Sequence, residues 1–111
     1  MEVFFSNRTL AKRLGSDAAR RRAFGDVLAR KIARRLNELG AAPNLGAMRL
    51  MPGGCHELTE DRSGQLAVGL TDNMRLVFEP ANDPIPAKAD GGLDWGHVTE
   101  VRIREVIDYH G

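Results

Sequence analysis

Sulfur and aromatic side chains are scarce in this chain: one cysteine, one tryptophan, one tyrosine and four phenylalanines in 111 residues. A single thiol excludes an internal disulfide and agrees with a reducing compartment. It also leaves zinc short of ligands. Structural zinc takes four at set spacings, and Cys55 is joined only by the scattered His56, His97 and His110. No apolar run reaches the length of a membrane span. The start, Met1 to Asn7, lacks the basic region of a signal peptide. No glycine-rich loop fits a phosphate-binding template, because Gly91-Gly92 has no helix after it. The expectation is a soluble, cytoplasmic protein with no metal, no cofactor and no membrane contact.

The length suits one domain spanning residues 1–111, large enough to bury roughly two thirds of the unfolded surface without staples. Net charge is only +1, but it is unevenly spread. From Arg8 to Arg35 ten basic residues stand against two acidic ones, whereas from His56 onward eleven acidic residues face five basic ones. Such asymmetry suits a polyanionic or acidic partner on one side of the molecule, or simply a solvated helix face.

The most informative stretch runs from Cys55 to Pro80 and reads as three short strands with two tight turns. Leu66, Val68 and Leu70 alternate with smaller or polar residues, as do Met74, Leu76 and Phe78, so one face is apolar. Gly64 closes the first turn by taking a positive φ, and Thr71 to Asn73 form the second. Cys55 and His56, neighbours on a strand, point to opposite faces, which makes Cys55 a small core residue rather than a partner of the imidazole. Upstream, Glu2 to Phe5 reads as a strand and Asn7 caps a short helix through Leu14. Ser16 caps a longer helix expected to run through Gly25 to Leu39. Its apolar stripe is Phe24, Val27, Leu28, Ile32, Leu36 and Leu39, with Arg20, Arg22, Arg30 and Arg34 turned away. Asn44 to Gly54 reads as a connector, and the 81–97 stretch, rich in proline and glycine, as a loop ending near Trp95. Val98 to His110 closes the domain as a strand with a bulge near Glu105. The predicted fold is α+β: an antiparallel or mixed sheet of four to five strands with two N-terminal helices on one face.

The residues left for chemistry are His56, Asp108, Tyr109 and His110, with Arg62 and Arg75 on the polar side of the meander. Metal-free RNA cleavage needs a base for the 2′-hydroxyl, an acid for the leaving 5′-oxygen and a cation at the phosphate. Histidine and arginine suit those tasks, and tyrosine can stack on an unpaired base. A lone histidine is nonetheless more often structural.

The Asp61-Arg62-Ser63-Gly64-Gln65 run, the Arg75-Leu76-Val77-Phe78 element and the closing Asp108-Tyr109-His110 together resemble a HigB-type toxin of the RelE/ParE superfamily. The resemblance covers most of the chain. It implies a ribosome-dependent mRNA endoribonuclease restrained by a HigA-like helix-turn-helix antitoxin. His56, Asp108, Tyr109 and His110 fall on catalytic positions, and Arg62 and Arg75 would hold phosphate. Arg20, Arg22, Arg30 and Arg34 would rest on the ribosome. Thr59 and Glu60 depart from that pattern, standing where relatives carry lysine and glycine, and Ser63 stands where lysine is frequent. Two other readings stay open: a non-enzymatic ParE-like binder that inhibits a target such as DNA gyrase, and a degenerate homologue that binds only its antitoxin.

Overall fold

The structure is a computed structural model and describes residues 1–108. Five strands, β1 (Glu2–Phe5), β2 (His56–Glu57), β3 (Leu66–Gly69), β4 (Met74–Pro80) and β5 (Glu100–Asp108), form one mixed sheet in the order β1-β5-β4-β3-β2. Only β1 and β5 pair in parallel. Helices α1 (Arg8–Leu14), α2 (Asp17–Phe24) and α3 (Asp26–Ala41) supply the cover for the sheet's apolar face. The α+β expectation holds, with five strands.

The expected caps form. Asn7 Oδ1 accepts from the Leu10 amide at 2.8 Å, and Ser16 Oγ accepts from the Ala19 amide at 3.1 Å. The expected single long helix, however, is two. Gly25 takes φ +80°, where a side chain would be strained. Its amide closes α2 on the Arg21 carbonyl at 2.9 Å, and its own carbonyl opens α3 with the Ala29 amide at 3.0 Å. The break also shifts the stripe. Val27 is 62 % exposed, while Ala29, Ile32, Arg35 and Leu39 face inward.

Leu66, Val68, Leu70, Leu76 and Phe78 join Ile32, Leu39, Leu45, Met48 and Ile103 in the main core. Burying each large side chain contributes about 1.5–3 kcal/mol. The connector after α3 is ordered as a 3₁₀ helix over Leu45–Leu50, started by Asn44, whose side chain accepts from the Ala47 amide. The bulge lies where predicted: Val77 pairs with Glu105 and Phe78 with Ile103, leaving Arg104 as the extra residue on β5. Trp95 folds back onto the body, its Nε1 donating to Glu57 at 2.9 Å and its ring covered by the Arg49 guanidinium at 4.1 Å. Among the described residues, no helix is long and apolar enough to cross a membrane.

Candidate active site

Strand parity and register define the face opposite the helices. His56 pairs with Ala67, Ala67 with Val77, and Val77 with Glu105, so these four form one row across β2, β3, β4 and β5. The next row joins Gly69, Arg75 and Ile107. Leu58, Ala67, Val77 and Ile107 make a second, small apolar cluster, which gives this face a rigid floor.

Arg62 reaches from the β2–β3 hairpin over this floor. Its guanidinium donates to Gln65 Oε1 at 3.2 Å and to Glu105 Oε1 at 3.0 Å. The arginine expected at the phosphate is therefore held by a carboxylate. Nearby, Glu79 Oε2 accepts from Arg102 at 2.8 Å and lies 3.8 Å from Arg104. Arg75 turns toward the β3–β4 turn and donates to the carbonyls of Thr71 and Met74, each at 3.0 Å. Those bonds fix the plane of its fork.

His56 is exposed on the edge strand β2, with Nδ1 2.9 Å from the Gly54 carbonyl oxygen. Asp108 ends β5 opposite Met74, and its carboxylate accepts from Asn73 Nδ2 at 3.4 Å. Arg75 and Asp108 thus both engage the β3–β4 turn. His56 does not join them: three strand spacings separate β2 from β5, roughly 14 Å across the sheet. Asp108 also has the opposite strand parity, since Ile107 is the residue that shares the His56 face. Tyr109 and His110 lie outside the described residues.

The basic helices divide. Arg22, Arg30 and Arg34 are exposed, whereas Arg20, expected on the outward face, folds back. Its side chain is 14 % exposed, donates to the Leu14 carbonyl and pairs with Asp17. Arg20 thereby satisfies a carbonyl in the last turn of α1 that has no partner within the helix. Cys55 sits on the core side, as its strand phase required. Burial pushes its thiol up to about 12, against a smaller opposing pull from the Arg49 guanidinium. A proton held that tightly makes Cys55 a poor nucleophile. Two polar residues escaped the sequence reading, Glu105 and Arg35. The signal for Arg35 was its position on the apolar stripe, one turn from Ile32 and Leu39, where a charged residue needs partners.

No protein-family model and no curated protein matches the sequence. Solved structures do match the fold. A YoeB/ParE toxin from Agrobacterium tumefaciens aligns over 100 % of both chains, with TM-score 0.58 and 13 % identity. The YoeB–YefM complex and the YoeB dimer from Staphylococcus aureus each give TM-score 0.56 and 15 % identity, over 100 % of this chain and 98 % of theirs. The fold is that of the YoeB/ParE toxins.

Proposed function

We propose that this chain is the toxin of a toxin–antitoxin pair and cleaves messenger RNA on the ribosome. The observation that carries this reading is that Arg75 and Asp108 are both tied to the β3–β4 turn, Arg75 through the Thr71 carbonyl and Asp108 through Asn73, and that Asp108 directly precedes Tyr109 and His110 in the sequence. The resemblance to HigB-type toxins and the likeness in fold to YoeB/ParE toxins support it. In this scheme a base removes the 2′-proton, the 2′-oxygen bonds to phosphorus, and the bond to the 5′-oxygen breaks as an acid protonates it. A cyclic phosphate remains. His56 and His110 share the acid and base roles, Asp108 assists, Tyr109 stacks on the base, and Arg75 stabilises charge on the phosphate. Arg62 supplies a second phosphate contact once it leaves Glu105. Arg22, Arg30 and Arg34 rest on ribosomal RNA. The partner is a helix-turn-helix antitoxin of the HigA kind; the YoeB neighbour has been solved as a complex with YefM.

A second reading, a ParE-like binder without catalysis, is favoured by the distance between β2 and β5 and by the Arg62–Glu105 pair. Inducible expression with primer extension across a translated message separates the two. The nuclease reading expects discrete cuts in ribosome-bound message, little cutting of naked RNA, and loss of toxicity in the His56→Ala, His110→Ala double variant. Full toxicity in that variant with an uncut message leaves only the binder.

A further inference from the structure

We propose that a cleft between α3 and the β3–β4 turn is a phosphate site for single-stranded RNA, built by Lys31 and Arg35. The proposal rests on the nuclease reading for its ligand and extends the site to two residues that reading does not use.

Arg35 projects into the core, its side chain only 7 % exposed. A buried guanidinium is costly unless its donors are satisfied. Nε donates to the Gly69 carbonyl at 2.7 Å and Nη1 to Glu38 Oε1 at 2.8 Å, which locks the fork in one plane. Nη2 has no hydrogen-bond partner among the described residues. Yet no buried side-chain nitrogen or oxygen among them lacks a partner, so Nη2 must reach open space. Arg35 lines a cleft of about 660 Å³ together with Lys31, Gly53, Asp72 and Arg75, among others. Its size falls within the range of small-ligand sites.

The charges around it favour an anion. Lys31, one helical turn before Arg35, makes no ion pair among the described residues. Lys31, Arg35 and Arg75 line the cleft with one carboxylate, Asp72; with the charge of Arg35 balanced by Glu38, two cations still stand against one anion. Gly53 keeps the wall close. At φ +105° a Cβ there would come 2.9 Å from Arg35 Nε and 2.6 Å from Val68 Cγ2. A fixed arginine donor, Nη2, beside an adjustable lysine ammonium suits the two unbridged oxygens of a phosphodiester, one to each. Asn73, which also lines the cleft, bonds to Asp108, so the site adjoins the proposed reaction centre and would hold a phosphate flanking the scissile one.

The test uses the full chain and a short single-stranded RNA with methylated 2′-oxygens, which binds but cannot be cut. Lys31→Ala should weaken binding about three- to tenfold and lower the salt slope by about 0.7, the loss of one phosphate contact. Arg8→Ala, at an exposed arginine of α1 outside the cleft, should change affinity by less than about twofold. Titration with inorganic phosphate should shift the amide signals of Gly53, Gly69 and Asn73. Equal losses for the two variants, or shifts confined to α2, would overturn the site. Because the probe cannot react, binding through Lys31 can hold even if the protein cleaves no message, and the two proposals can fail separately.

Discussion

The guanidinium of Arg62 lies 3.0 Å from the Glu105 carboxylate, joining the β2–β3 hairpin to the bulge of β5 across the open face. The pair is a third or more exposed, so its worth to stability is small, about 0–1 kcal/mol. Its consequence is electrostatic: a phosphate approaching Arg62 competes with an internal carboxylate. Glu105→Gln should therefore leave the melting temperature nearly unchanged and tighten RNA binding about two- to fivefold, with a steeper salt dependence. Unchanged affinity in an anisotropy titration would show that Arg62 does not meet the phosphate.

Glu60 is the one non-glycine residue with positive φ among the described residues, at +56°. It occupies the position where the resembled toxins carry glycine. A side chain in this left-handed region costs about 1–2 kcal/mol. Glu60→Gly should recover up to about 1 kcal/mol, part of the gain being lost to the flexibility of glycine in the unfolded chain. Chemical denaturation at neutral pH would measure it; a less stable variant would contradict the strain.

Gly53 and Gly25 predict a graded pair. Both have positive φ, but a Cβ at Gly25 meets nothing within 4 Å, while one at Gly53 collides with Val68 and Arg35. Gly25→Ala should cost about 1–3 kcal/mol from backbone strain alone, because φ +80° with ψ 165° is a conformation almost reserved for glycine. Gly53→Ala adds overpacking and should cost about 2–4 kcal/mol in total. Equal melting temperatures for the two variants would refute the close contact.

Cys55 gives a pH-dependent outcome. Its thiol ionises near 9.0 in the unfolded chain and near 12 in the fold, chiefly because burial disfavours the thiolate. Between those values the unfolded state has lost the proton and the folded state keeps it. Stability is therefore fully present below 9.0 and falls as pH rises toward 12. Cys55→Ala should flatten that alkaline slope in denaturation curves. At pH 8 the native thiol should react with a disulfide reagent at least about tenfold more slowly than the unfolded chain, since only the thiolate attacks.

Local chemistry explains what was legible in the residues. Period-two alternation in Leu66 to Leu70 and Met74 to Phe78 determined the core face, Asn7 and Ser16 marked two helix starts, and the phase shift after Ile103 marked the bulge. Each signal arises within a few residues of backbone. Gly25 shows the limit: a glycine within a helical pattern fits either a continuous helix or a break, and packing of α3 against the sheet selects φ +80°. The strand order, the Arg62–Glu105 pair, the 14 % exposure of Arg20 and the Lys31–Arg35 cleft depend on contacts between distant segments. The sequence by itself determined which residues could carry charge, caps and apolar faces. Only the tertiary structure decided which of those charges meet, because register and layer packing bring together residues whose spacing along the chain carries no trace of their contact.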